Sequence, residues 1–239
     1  MTSTATLLEY SAADILCKGV YFTPTQADGL LPVVLVCHAW DGLNDEVRDK
    51  AAKLADAGYI AFALDVLGEG KTMTDMADLT ATLTPFFENR AMLLERIEAG
   101  VDAAKMIPGA DLSRIGAMGY CFGGTAVLDL ARAGSGNIKG VVSFHGGLQG
   151  NALNGPKTLS AKILVLHGED DPLVPSEEVA AFKGEMTDKQ ADWQLHAYGQ
   201  TVHAFTRPEA NDPAFGAVYN RSADARSWQA MLNFFEEVL

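Results

Sequence analysis

Short apolar runs alternate with longer amphipathic stretches along most of the chain. The apolar runs predict strands, and several are nearly continuous in Val, Ile and Leu, as in parallel strands covered on both faces. The predicted strands are residues 32–37, 59–64, 114–118, 138–144, 161–166 and 192–198. The predicted helices are residues 45–57, about 78–106, 123–133, 176–187 and 222–238. This alternation predicts an α/β fold, with a mostly parallel twisted sheet and helices on both faces.

The first part of the chain departs from this alternation. Residues 14–22 have the pattern of an extra strand, and residues 23–31 contain the Pro and Gly that are typical of a turn. We therefore expect an antiparallel N-terminal edge on the sheet. No internal repeat, low-complexity tract or linker rich in Pro, Gly or Ser divides the sequence. Residues 1–239 are accordingly predicted to form one domain.

The charge and the composition narrow the class of partner. A formal net charge of -13 argues against nucleic-acid binding, because neutralising phosphates requires a surplus of Lys and Arg on one face. Small neutral molecules suit this charge better, and an anionic substrate would need a local Arg or Lys. Apolar residues make up 48% of the chain, which is enough for a sizeable core without disulfides or metals.

Three cysteines, Cys17, Cys37 and Cys121, are too few and too scattered for a disulfide framework, and none belongs to a C-x-x-C pair. This favours a reducing compartment. The first residues lack the features of a secretory leader, and no later stretch stays apolar for the about 18 residues that a membrane span needs. The sequence therefore predicts a cytoplasmic monomer or homodimer that has no membrane partner.

The most informative segment is Gly-Tyr-Cys-Phe-Gly-Gly at residues 119–124, between a predicted strand and a predicted helix. It has the form G-x-C-x-G, a nucleophile elbow with cysteine in place of serine. Glycines flank such a nucleophile because the sharp turn leaves no room for side chains. The following helix N-terminus favours the Cys121 thiolate, and the Phe122 N–H is a natural oxyanion donor. The alternative is a glycine-rich turn that carries a buried, inert cysteine.

An activated nucleophile needs a base and an acid that orients the base, in the chain order nucleophile, acid, histidine. The acid is predicted to be Asp171 rather than Asp170, because its place directly before Pro172 keeps its backbone extended. Two histidines follow. His196 falls inside a predicted strand, whereas His203 falls in the loop just after that strand, so His203 is the predicted base.

The second oxyanion donor is expected in the loop after an early strand. Trp40 is the first choice for this backbone N–H, and Ala39 is the next. His38, His145 and His167 each follow a predicted strand directly. Each either lines the pocket or hydrogen-bonds a loop backbone, and the structural role is the more common one for such a histidine.

With these motifs in place, the chain resembles the dienelactone hydrolase family over essentially its whole length. The resemblance implies the α/β-hydrolase fold, a Cys–His–Asp triad and no metal or organic cofactor. The triad maps onto Cys121, His203 and Asp171. The motifs that carry the resemblance are Gly-Tyr-Cys-Phe-Gly-Gly at 119–124, His-Gly-Glu-Asp-Asp-Pro-Leu-Val-Pro at 167–175, His-Ala-Phe-Thr-Arg-Pro at 203–208 and the C-terminal residues 219–235.

Two departures from the family pattern point to a different substrate. The family's glutamate that interacts with the resting thiol corresponds to Ala39 here. Of the two arginines that bind the substrate carboxylate, one corresponds to Arg207, and the other would fall near residues 68–70, where there is no arginine. We therefore expect a pocket near Ala39, Trp40 and Arg207 that takes a neutral ester or lactone, with Trp40 and Phe122 as apolar walls.

Two other classes of function remain open from the sequence. The first is a non-catalytic ligand-binding or sensor protein on the same fold, since a fold alone does not establish activity. The second is a thiol redox enzyme, which would require Cys37 to lie close to Cys121 in the fold.

Overall fold

The computed structural model describes residues 3–26, 29–135, 137–150 and 155–239. Its strands are β1 (Thr4–Ala12), β2 (Ile15–Thr23), β3 (Leu31–Cys37), β4 (Ile60–Leu64), β5 (Ala110–Tyr120), β6 (Ile138–Phe144), β7 (Lys162–Gly168), β8 (Trp193–Tyr198), β9 (Asn211–Asp212) and β10 (Ala217–Val218). Its α-helices are α1 (Asp45–Asp56), α2 (Met76–Glu88), α3 (Arg90–Ala103), α4 (Phe122–Ala133), α5 (Ser176–Asp188) and α6 (Arg221–Val238), with a 3-10 turn at Ala104–Met106.

Eight strands form one sheet in the order β1-β2-β4-β3-β5-β6-β7-β8. Strands β3 to β8 run parallel to one another, whereas the edge strands β1 and β2 pair antiparallel with each other and β2 pairs antiparallel with β4. The predicted fold class, a mostly parallel sheet with an antiparallel N-terminal edge, is confirmed. Because the strands are parallel, the loops after β3, β5, β6, β7 and β8 all leave the same end of the sheet.

The sheet divides the interior into two apolar cores. In β3, Val33, Leu35 and Cys37 face one core, while Val34 and Val36 face the other. This alternation explains why the strand sequence is apolar throughout, since both faces are buried. Side chains of α3, α4 and α5 fill the first core, and side chains of α1 and α6 fill the second.

The main differences from the sequence prediction are as follows. The N-terminal edge is a two-stranded hairpin, since a further strand, β1, precedes the one expected strand. Strand β1 is mostly exposed, so its sequence lacks a clear apolar alternation. The predicted long helix at 78–106 is two helices, because Pro85 lies near the end of α2 and Asn89 begins a new helix by accepting a hydrogen bond from the Met92 N–H. Strand β5 begins at Ala110, four residues before the predicted start at Arg114.

None of the helices within the described ranges combines the length and the hydrophobicity needed to cross a membrane.

Candidate active site

Cys121 lies at the turn between β5 and α4, with a left-handed backbone of φ 52° and ψ −113°. A positive φ is rare for a residue other than glycine and marks local strain. The turn is possible because glycines surround it. A Cβ atom on Gly119 would lie 2.1 Å from the Gly123 carbonyl oxygen, and one on Gly123 would lie 2.4 Å from the Cys37 carbonyl oxygen. The cysteine is partly exposed, so the turn presents the sulfur at the carboxyl end of the sheet.

The three side chains predicted to cooperate lie in hydrogen-bonding contact. His203 Nε2 is 3.2 Å from Cys121 Sγ, and His203 Nδ1 is 2.8 Å from Asp171 Oδ2. The Asp171 side chain is fully buried, and that of His203 is 8% exposed. The structure thus places an imidazole between a thiol and a carboxylate, with one ring nitrogen for each.

Backbone contacts fix the acid and the histidine relative to each other. The Leu173 N–H donates to Asp171 Oδ1 at 2.9 Å, so both carboxylate oxygens are engaged. The His203 N–H donates to the Gly216 carbonyl at 2.9 Å, and the Val218 N–H donates to the His203 carbonyl. Gly216 also packs against Pro172, the neighbour of the acid, and a Cβ there would lie 2.2 Å from Pro172 Cγ. The β9–β10 hairpin therefore contacts both loops.

The charge state of His203 follows from these contacts. Burial alone would lower the pKa of the imidazole, but the hydrogen bonds with Asp171 and Cys121 outweigh burial and raise this pKa from 6.5 to about 10. At neutral pH the site therefore favours the protonated form of His203, which lies between the Asp171 carboxylate and the Cys121 sulfur.

A second histidine packs edge-on against His203. The ring centres of His145 and His203 are 5.0 Å apart. His145 Nε2 hydrogen-bonds the Thr206 hydroxyl at 2.9 Å, and Lys50 Nζ donates to the Thr206 carbonyl at 2.9 Å. Burial, with the nearby charges of His203 and Lys50, holds the pKa of His145 well below its ordinary value. His145 thus stays neutral and ties β6 to the loop that carries His203.

A cavity of about 230 Å³ opens beside the sulfur. Its wall is mainly apolar and includes two charged side chains. Arg90 makes a bidentate ion pair with buried Asp129, and Glu178 accepts hydrogen bonds from the backbone of Leu148 and Gln149. The lining residues are Phe87, Arg90, Cys121, Phe122, Thr125, Gly147, Gln149, Leu173, Val174, Glu178 and His203.

Of the residues predicted to bind the oxyanion or the substrate, Phe122 lines the cavity, whereas Trp40, Ala39 and Arg207 do not. Phe122 lines the cavity, and as the first residue of α4 its N–H has no acceptor within the helix. Trp40 and Arg207 do not line this cavity, and instead border a more open one. The Arg207 guanidinium lies over the Trp40 ring, 5.9 Å from its centre, and pairs with Asp41 at 2.7 Å.

Ala39 is half-buried and is likewise not among the residues that line the cavity. Its carbonyl accepts a hydrogen bond from His38 Nδ1 at 2.6 Å, while His38 Nε2 accepts one from the Val66 N–H. Both contacts fit one neutral tautomer, and burial lowers the pKa of His38. His38 therefore orders the loop backbone on which Ala39 and Trp40 lie.

The sequence reasoning missed Phe87, Arg90 and Glu178 as cavity residues. Each lies on a helix, and the sequence around it contains no motif that indicates a site. Only the packing of α2, α3 and α5 around the end of the sheet brings the three residues to the cavity. Across the part of the chain that the structure describes, no group of three or more His, Cys, Asp or Glu side chains is arranged to hold a metal ion.

A family model described as the dienelactone hydrolase family matches residues 17–239. The chain belongs to this family. It is therefore a hydrolase of esters or lactones. The resemblance found in the motifs is confirmed.

Other proteins described as members of or similar to the dienelactone hydrolase family resemble this chain over almost its full length. A dienelactone hydrolase-like promiscuous phosphotriesterase from metagenomic libraries is 36% identical, with a TM-score of 0.95 over 100% of this chain and 99% of that chain. A "Putative carboxymethylenebutenolidase" of Aquifex aeolicus is 27% identical over 98% of each sequence. A dienelactone hydrolase of Anabaena variabilis, 18% identical with a TM-score of 0.71 over the whole of both chains, shares the fold.

Proposed function

We propose that this family member hydrolyses uncharged carboxylic esters or lactones through a thioester on Cys121, with His203 as the proton-transfer group and Asp171 as its orienting acid. The observation that supports this most directly is the pair of contacts at His203, 3.2 Å to the sulfur and 2.8 Å to the carboxylate. Both distances lie in the range needed for proton transfer between a nucleophile and its base.

In the acylation step, the Cys121 sulfur attacks the acyl carbon as a thiolate. A carbon–sulfur bond forms, and the carbonyl oxygen becomes negatively charged beside the Phe122 N–H. The Trp40 N–H is the second donor in this proposal. When the carbonyl re-forms, the carbon–oxygen bond of the ester breaks, and the leaving alkoxide takes the proton held by His203 Nε2.

In the deacylation step, neutral His203 removes a proton from water, whose oxygen attacks the thioester carbon. The carbon–sulfur bond then breaks, the acid is released, and sulfur leaves as a thiolate beside the newly protonated imidazole. Asp171 keeps its charge throughout and stabilises the imidazolium. The cycle thus restores its starting state without a cofactor.

The resting state in this proposal is a thiolate–imidazolium pair. The family's carboxylate near the thiol is replaced by Ala39, and the high pKa of His203 favours the proton on the imidazole. Cys121 should then react with iodoacetamide faster than a free thiol at neutral pH. An alkylation rate equal to that of glutathione would contradict the ion pair.

The preference for neutral substrates rests on the arginines near the site. Arg207 pairs with Asp41 outside the cavity, and Arg90 pairs with Asp129 at the cavity wall. Each guanidinium is already matched by a carboxylate, so an anionic substrate gains less from either. We expect a higher kcat/KM for 4-nitrophenyl acetate than for a dienelactone, and a strong preference for the anionic lactone would overturn this part of the proposal.

The nucleophile is tested by rapid mixing with 4-nitrophenyl acetate. Wild type should release a burst of nitrophenol equal to one per active site, and mass spectrometry after an acid quench should find one acetyl group on the Cys121 peptide. Cys121→Ala should show neither, while Cys17→Ala, which removes a buried cysteine away from the cavity, should keep both.

A burst that persists in Cys121→Ala would exclude this nucleophile. A peroxide-dependent loss of thiols without any burst would favour the redox alternative.

A second candidate activity is the cleavage of phosphotriesters. The full-length likeness to a protein described as a promiscuous phosphotriesterase supports it. Sulfur would attack phosphorus, an aryloxide would leave, and water would then release the phosphodiester from the sulfur. Turnover of an aryl dialkyl phosphate that requires Cys121 supports this activity, whereas stoichiometric, irreversible inhibition by the same compound excludes it as a catalytic one.

A further inference from the structure

Two large apolar side chains lie exposed at the cavity beside Cys121. Phe87 is 48% exposed and Leu173 is 44% exposed, and both line this cavity. Single exposed apolar residues are ordinary on a protein surface, but two that border the same small cavity form a local apolar surface. Phe122 and Val174 line the same cavity and are almost fully buried, so its wall is apolar beyond the two exposed side chains as well.

The Phe87 side chain and the Leu173 backbone each contact a residue of the proposed catalytic arrangement. The Phe87 ring packs edge-on against the Phe122 ring at 5.8 Å, and Phe122 is the residue directly after the nucleophile. The Leu173 N–H is bonded to the carboxylate of Asp171. The Phe87 ring and the Leu173 backbone therefore have defined positions relative to Phe122 and Asp171, as a substrate-binding wall requires.

Three polar side chains of the cavity wall are already engaged within the protein. Arg90 is paired with Asp129, Glu178 accepts two backbone hydrogen bonds, and the Thr125 hydroxyl donates to the Gly147 carbonyl. A substrate group entering here loses contact with water and gains mainly apolar contact, which favours an apolar group.

We propose that Phe87 and Leu173 determine substrate specificity by binding an apolar group next to the scissile bond of the ester. The proposal rests on the proposed function and names its substrate class: uncharged esters that carry a compact alkyl or aryl group. The cavity volume of about 230 Å³ lies below the roughly 300–1,000 Å³ of pockets that enclose drug-sized ligands. The bound group should accordingly be smaller than a drug-sized ligand, and butyl and phenyl groups are suitable probes of it.

The test compares two ester series in wild type, Leu173→Ala and Phe87→Ala. One series varies the acyl group with a constant leaving group, from 4-nitrophenyl acetate to butyrate and benzoate. The other varies the alcohol of an acetate ester from methyl to butyl and benzyl, followed by proton release. Wild type should prefer the larger apolar member of at least one series by about tenfold in kcat/KM, as expected for added methylenes in an apolar pocket.

Each substitution should reduce that preference at least threefold, chiefly by raising KM for the larger esters. Leu16→Ala is the matched control, because Leu16 is 43% exposed but lies on β2, away from the cavity. The preference should be unchanged in this variant. Unaltered preferences in both Leu173→Ala and Phe87→Ala, or no preference in wild type, would overturn the proposal.

The alkylation rate of Cys121 by iodoacetamide separates loss of the wall from loss of folding. It should stay within about twofold of wild type in all three variants, because iodoacetamide is small and needs only the sulfur and its ion pair. The test also separates this proposal from the proposed function. A normal burst with unaltered ester preference defeats the specificity role alone, whereas a burst independent of Cys121 defeats the thioester mechanism.

Discussion

The two sides of the His203 imidazole have opposite surroundings. On one side, Asp171 and Cys121 contact its two nitrogens and raise its pKa to about 10. On the other side, His145 lies at 5.0 Å in an environment that holds its own pKa well below the ordinary value. Both rings are buried, so burial does not distinguish them. The difference comes from the carboxylate and the sulfur, which hydrogen-bond His203 directly, whereas His145 hydrogen-bonds a hydroxyl.

The largest expected effect comes from removing the carboxylate. Asp171→Asn keeps the size of the side chain but takes away the charge that raises the pKa of His203, so kcat/KM should fall about a thousandfold or more. The alkylation rate of Cys121 at neutral pH should fall as well. Asp170→Asn, one residue earlier on the same loop, is the control and should keep near wild-type activity. Equal losses in both variants would show that the loop, rather than the Asp171 charge, is responsible.

An intermediate effect is expected on the His145 side. Thr206→Val removes the hydroxyl that His145 Nε2 contacts and leaves a buried nitrogen without a partner, which should lower the free energy of unfolding by about 1–3 kcal/mol. Urea unfolding measures this change. Activity should fall by about tenfold at most, because Asp171 still orients His203, and Thr206→Ser should restore both properties. A loss of activity as large as that of Asp171→Asn would place His145 inside the proton-transfer step.

The pH dependence of stability sharpens the contrast. The folded pKa of His203, about 10, lies above the unfolded value of 6.5, so its contribution to stability is complete below about pH 6.5 and is lost as the pH rises towards 10. Urea unfolding of wild type should therefore show a decline over this window that is absent in His203→Gln. A decline of the same size in both proteins would assign it to other groups.

The smallest effect is expected from Arg207→Gln. Its guanidinium lies outside the cavity and is paired with Asp41. Arg207 directly follows Thr206, the residue that contacts His145. The kcat/KM for a neutral aryl ester should stay within about threefold of wild type, and the pH profile should not move. A large rise in KM would instead support the sequence-based prediction that Arg207 binds the substrate.

Sequence patterns were sufficient for the fold and for the residues that meet at the sulfur, because both depend on local rules. The G-x-C-x-G turn requires glycines that a side chain would displace, and the order of acid and histidine follows the order of parallel strands. Parallel strands covered on both faces also have a distinctive composition, so β3, β6 and β7 were evident from their sequences.

The remaining features depend on contacts between distant segments. Arg90 and Asp129 are 39 residues apart and form one ion pair at the cavity wall, and neither segment shows this on its own. His145 had the same sequence context as His38 and His167, directly after a strand, and only the packing of its ring against His203 distinguishes it. The exposed strand β1 lacked a pattern because it has little apolar surface to bury.

The glycine of the β9–β10 hairpin connects the loops of Asp171 and His203, which lie about thirty residues apart in the chain. Gly216 holds the His203 backbone through its carbonyl and leaves just enough space for Pro172 beside the acid. A single added methyl group at this position would push the two loops apart and lengthen the His203–Asp171 contact while leaving every reacting atom in the chain. If the proposed mechanism holds, random mutagenesis for lost activity should recover this glycine, and directed evolution of the hairpin offers a way to tune the basicity of His203 without altering Cys121, His203 or Asp171.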